Sequence, residues 1–170
     1  MPAYKTPDVY IEEISIFPPS VAEVGTAIPA FIGYTEKAQH VKANDLLLKP
    51  TKIYSLKEYE SFYGMPAADD IDVVLAGSAA TGYTLTSVTP PATKYLMYYS
   101  VKMYFDNGGG ECYICAVDGY SEDAISLTGD ADSFGLKDGL DDIGLEDEPT
   151  LLVIPEAIKL GAVDYDTLVK

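Results

Sequence analysis

TKYLMYYSVKMYFDNGGGECYICAV, residues Thr93 to Val117, reads as a helix, a hard stop and a strand with two apolar faces. Met97, Val101, Tyr104 and Phe105 fall at i, i+4, i+7 and i+8, the spacing of one apolar helical stripe. Thr93 is the expected N-cap, with Pro90-Pro91 blocking an earlier start. Asp106-Asn107 followed by Gly108-Gly109-Gly110 predicts the end of the helix, because Asn and Gly accept the left-handed backbone that closes one. Asn107, Gly108 and Gly109 are the expected structural turn. Cys112 to Val117 is apolar without alternation, so this strand must be covered on both sides. The fold class that follows is α/β: a layered mixed sheet with flanking helices.

Working outward, Ile28–Tyr34 predicts a strand with Phe31 and Ile32 inward and Gly33 allowing a close approach. Leu46–Leu48 is a candidate short edge strand, and residues 50–54 resume extended structure. Ser55-Leu56-Lys57-Glu58 is a capping box, opening a short helix whose buried face is Leu56, Tyr59, Phe62 and Tyr63 and which stops at Gly64. Ile71–Leu75 and Tyr83–Val88 flank a turn rich in small residues and predict a peripheral β-hairpin. Leu136, Leu140 and Ile143 mark a helix weakened by Gly135, Gly139 and Gly144. Thr150–Ile154 reads as another strand with two apolar faces, parallel to Cys112–Val117 through a βαβ crossover. A helical pattern begins at Glu156.

Residues 1–20 are a separate unit, an extended N-terminal arm, and residues 21–170 form the core domain. Val9, Tyr10 and Ile11 are β-prone, Pro7 precedes them, Glu12 and Ile14 follow, and Pro18-Pro19 closes the segment. No hairpin partner lies nearby in sequence. Such a strand either returns to its own sheet or pairs with another chain.

The 170 residues suffice for one domain that buries about 70% of its unfolded surface. With 27 acidic and 11 basic residues the net charge is −16, which argues against nucleic acid and anionic membrane surfaces as partners. No stretch has the length and hydropathy of a membrane span, and residues 1–20 do not read as a signal peptide, so the expected site of synthesis and residence is the cytoplasm.

No catalytic, cofactor or metal constellation emerges. Cys112 and Cys115 are three apart in a strand, so their sulfurs point to opposite faces and form neither a disulfide nor half of a zinc site. The glycines 108–110 follow a helix and precede a strand, the reverse of a phosphate loop, and they sit at the negative end of the helix dipole. Asp130-Ala131-Asp132-Ser133-Phe134-Gly135 starts like a calcium loop, but Phe134 stands at position 5 and Asp141 at position 12. His40 is the one histidine and lies in a polar connector with no nucleophile elbow anywhere in the chain. Fourteen tyrosines without tryptophan suit packing and interfaces.

Five separated segments share one resemblance. YKTPDVYIEEI (4–14), SVAEVGTAIPAFIGYTEKA (20–38), IYSLKEYESFYG (53–64), YYSVKMYFDNGGGECYICAV (98–117) and DEPTLLVIPEA (147–157) resemble, in order and spacing, the N-terminal part of contractile tail sheath proteins of phages and related injection systems. The YF-D-NGG-ECYI element is the most specific. The resemblance implies a structural subunit and no enzyme or cofactor. It implies a homo-oligomeric lattice around an inner tube protein, contraction that drives the tube outward, and contacts to baseplate and terminator proteins. It also implies that Pro7, Val9, Tyr10, Ile11, Glu12 and Ile14 form an inter-subunit arm. The implied location is the bacterial cytoplasm during assembly and then a phage tail or injection particle. Members of the family continue well past Ile154, so the chain is expected to be the N-terminal part of a longer sheath protein or a shortened relative. A sheath-like baseplate or terminator component is the alternative role, and a small α/β ligand-binding or enzymatic domain the alternative from another class.

Overall fold

The computed structural model describes residues 27–69, 71–89, 93–121, 125–130 and 133–170. The arm proposed for residues 1–20 lies outside them, as do Pro90 and Pro91.

The protein is α/β, built on a four-stranded mixed sheet. In chain order the strands of that sheet are β1 (Pro29–Thr35), β2 (Thr51–Ile53), β5 (Cys112–Gly119) and β6 (Leu151–Val153), and their spatial order is β2-β5-β1-β6. Among the described residues, β3 (Asp72–Ser78) and β4 (Gly82–Thr89) pair only with each other, as the predicted peripheral hairpin. The helices are α1 (Leu56–Tyr63), α2 (Met97–Asp106), α3 (Leu136–Ile143) and α4 (Ala162–Leu168), with a 3-10 helix at Pro155–Lys159.

β1 and β5 are the two central strands, parallel, with Phe31 opposite Ile114 and Ile32 opposite Cys115. Both are apolar on both faces because each face has its own helical layer. Phe31, Cys112, Ile114 and Ala116 pack with Tyr59 and Tyr63 of α1 and Met97 and Val101 of α2. Ile32, Cys115 and Val117 pack on the other side with Leu136 and Ile143 of α3 and with Ala157 and Leu168. Phe31 and Ile32 are thus both buried, but in opposite layers. Cys112 and Cys115 are free, buried and separated by the sheet, as the strand period requires.

Four readings are corrected. α2 starts at Met97, not at Thr93, whose hydroxyl donates instead to Asp69 (2.9 Å). β6 is an edge strand with Leu151 and Leu152 exposed, so it lacks the second covered face that its composition suggested. It runs parallel to β5, but β1 lies between them. Leu46–Leu48 contributes one isolated parallel bridge, Leu47 with Ala116, rather than a strand. Finally, the segment from Glu156 begins as a 3-10 helix and turns α-helical only at Ala162.

The α1 cap is close to the expected one. Ser55 Oγ accepts from the Glu58 N–H (3.2 Å), while the Glu58 carboxylate reaches one residue further back and accepts from Tyr54 N–H (2.9 Å). Gly139 is less a weakness in α3 than its contact point. A Cβ there would sit 2.5 Å from Val117 Cγ1 and 2.7 Å from Ile32 Cγ2, so only glycine lets α3 approach the sheet this closely.

Candidate interaction surfaces

The end of α2 matches its prediction in detail. Gly108 has φ +84, its N–H donates to Phe105 O (3.0 Å), and the Gly109 N–H donates to Tyr104 O (2.9 Å). This is the paired bonding of a Schellman stop, with Asn107 at the C-cap and its side chain donating to Met103 O (2.7 Å). Gly109 is needed for a different reason: a Cβ on it would enter the Tyr104 ring, with Cε1 2.5 Å away. These three residues therefore shape a turn.

The start of α2 is capped by a residue that sequence reasoning did not find. No side chain of its own first turn caps the helix; Glu156, from the 3-10 helix some sixty positions later, does. Its Oε1 accepts from both Leu96 N–H (2.9 Å) and Met97 N–H (2.8 Å). Glu156 is fully buried, and its Oε2 finds no hydrogen-bond partner among the described residues. Burial pushes its carboxyl up to about 7, against the lowering effect of the Leu96 and Met97 N–H groups and of its own backbone N–H. Gly33 gives it room, since a Cβ at that position would overlap Oε2. The close approach read into Gly33 is thus an approach by this carboxylate. Glu156 ties the C-terminal segment to the opposite helical layer.

The side chains weighed and set aside in the sequence lie apart from one another. His40 stacks edge-on against Phe62. Asp45 folds the connector around itself, accepting from the N–H groups of His40, Val41 and Lys42, and those donors hold its carboxyl down at about 2. Asp130 accepts from the Ser133 N–H and hydroxyl, a local turn. Burial pushes both cysteine thiols up to about 12, which makes them poor nucleophiles. Among the described residues, no group of three His, Cys, Asp or Glu is placed to hold a metal, and no helix is long and apolar enough to cross a membrane.

Uncovered apolar surface is concentrated in two places. The first is the hairpin, every residue of which is exposed. Its register pairs Val73 with Val88, Leu75 with Leu85 and Gly77 with Tyr83. The register slips between Val74 and Leu75, leaving Thr86 as an extra residue in β4. Without that bulge Val88 and Leu85, three apart, would face opposite ways. With it, Val73, Leu75, Tyr83, Leu85 and Val88 share one face, each 50–63% exposed, while Asp72, Val74, Ser87 and Thr89 lie on the other. The second is the C-terminal surface: the edge of β6, unpaired among the described residues, with Leu151 and Leu152, and a groove of about 800 Å³ lined mainly by Ala157, Ile158, Leu160, Ala162, Val163 and Tyr165, with Asp166 and Thr167 completing it. Ile158 and Val163 are 71% and 79% exposed there.

No protein-family model matches the chain, and no curated protein matches it. Pro7, Val9, Tyr10, Ile11, Glu12 and Ile14, the expected inter-subunit residues, lie outside the described residues.

Proposed function

We propose that the chain is a structural subunit of a contractile sheath, a homo-oligomeric lattice around an inner tube that contracts and drives the tube outward. One observation supports this reading: both faces of the central strands are sealed, yet among the described residues the β6 edge is unpaired, with Leu151 and Leu152 exposed. An unpaired apolar edge offers main-chain donors and acceptors to an incoming strand. The arm at Thr6–Ile14 is the strand that a neighbouring copy supplies. The segment resemblance supports the same role, because its most specific element, Tyr104 to Ile114, spans the α2 stop and the start of the central strand. Inner tube, baseplate and terminator proteins are the further partners, and a phage tail or injection particle is the destination. No cofactor enters, since free energy for contraction resides in subunit packing.

Removing residues 1–17 tests the reading. The expected result is a folded core by circular dichroism and loss of tubular polymers by electron microscopy. Val9→Pro, which removes one ladder donor, is expected to act in the same direction. Tubes of normal length from the folded truncation would refute the role of the arm.

A further inference from the structure

We propose that the apolar face of the β3–β4 hairpin docks head-to-tail into the groove between the 3-10 helix and α4 of a second copy. The inference rests on the sheath reading for its biological setting and on the two uncovered surfaces for its geometry.

A two-stranded ribbon is marginal by itself in water, and this one has an apolar face that no element among the described residues covers. The bulge at Thr86 gathers that face, which would otherwise be split between the two sides. Its five large side chains present roughly 500 Å² of accessible surface, the scale of a functional patch.

Charge selects the occupant. The molecule carries −16, so two copies repel wherever acidic surfaces meet. Residues 71–89 contain one charge, Asp72, and it belongs to the opposite face of the hairpin. A basic partner would seek the acidic remainder of the domain. A neutral, apolar sheet face instead allows an acidic copy to approach. The groove is lined mostly by apolar side chains, with Ile158 and Val163 already in solvent, and its one carboxylate, Asp166, is ion-paired to Lys170. Hairpin on hairpin would bury only about 1,000 Å² in total, the lower limit for a specific contact. It would also close on itself as a pair. Hairpin in groove uses two different surfaces, leaves one of each free at the ends, and so propagates, as a sheath must.

The experiment uses the whole chain in sedimentation with two variants, Leu85→Asp on the hairpin and Val163→Asp in the groove, and an equimolar mixture of the two. Both positions are exposed, so folding is expected to be unchanged by circular dichroism. Wild type is expected to gain mass with concentration beyond two copies. Each variant alone is expected to need roughly tenfold higher concentration or more for any association, because an unpaired carboxylate would be buried at the contact. The mixture is expected to form 1:1 pairs and stop, since one variant retains a groove and the other a hairpin. Wild type that remains monomeric or saturates at a dimer, a Val163→Asp protein that associates like wild type, or a mixture that does not pair would overturn the proposal. Tubes formed by both variants would overturn it while leaving the sheath reading standing. Head-to-tail oligomers that never become tubes would do the reverse.

Discussion

Replacing Glu156 with glutamine isolates the titration of one buried carboxyl. In the folded protein this group is uncharged up to about pH 7, against an ordinary value of 4.5, and burial is the main cause. Between those two values the folded state holds a proton that the unfolded chain has released. The free energy of unfolding therefore falls as pH rises through this window. The contribution is fully present below 4.5 and gone above about 7. The interval corresponds to about 3 kcal/mol at 1.36 kcal/mol for each tenfold change in proton affinity. Glutamine keeps a carbonyl oxygen for the Leu96 and Met97 N–H groups but cannot ionise. Its amide would stand beside Gly33, where Oε2 now lacks a partner among the described residues, at a pH-independent cost of about 1–3 kcal/mol. Urea unfolding at pH 5, 6, 7 and 8 should give a difference between wild type and Glu156→Gln that changes by about 2.5 kcal/mol across the series, in favour of the variant as pH rises. Other titrating groups cancel in the difference. Parallel pH curves for the two proteins would refute the reasoning. Glu156→Ala, which uncaps α2 as well, should be destabilised at every pH.

Gly108→Ala should cost about 1 kcal/mol for its left-handed backbone, with open space around the new methyl; equal thermal midpoints would contradict this. Gly109→Ala should cost at least as much by displacing the Tyr104 ring, visible as a change in near-ultraviolet dichroism. Gly139→Ala should lower stability by about 1–3 kcal/mol although alanine favours helix, because the methyl meets Val117 and Ile32; a stabilised variant would show that α3 can move outward freely. Tyr59→Phe should be neutral or stabilising in chemical denaturation, since the buried hydroxyl has no partner among the described residues. Cys112 and Cys115 should resist thiol reagents in the folded state and titrate as two free thiols once denatured.

The parts of the fold legible in the sequence are those specified by neighbours a few residues apart. Ser55 and Glu58 announce α1, Asn107-Gly108 announces the end of α2, and the unbroken apolar run from Cys112 announces a strand covered twice. Misreadings arise where a distant residue supplies what the local pattern lacks. The sequence pattern starts α2 three residues early because Thr93 looks like a cap, while the acceptor comes from Glu156. Leu151 and Leu152 are as apolar as buried residues, and composition alone does not distinguish a covered strand from an open edge. Gly139 reads as a helix breaker until the side chains facing it are known. The hairpin was visible, but its single apolar face was not, because the bulge at Thr86 breaks the alternation that would reveal it. A weak signal was available: 71–89 is nearly free of charge in a strongly acidic chain.

The strand order β2-β5-β1-β6 has a consequence for how the protein is made. β1 emerges from the ribosome early, yet both of its neighbours are encoded far downstream, β5 from Cys112 and β6 from Leu151. During that interval Phe31 and Ile32 have no sheet to enter, and α1 can form locally but has no strand to cover. α2 must then wait again, since the carboxylate that caps it is synthesised after β6. Closure of the core is thus a late event dominated by contacts distant in sequence, the kind that folds slowly and leaves apolar segments unguarded on the nascent chain. Cellular yield would then respond more to the rate of translation and to chaperone supply than the stability of the finished domain suggests.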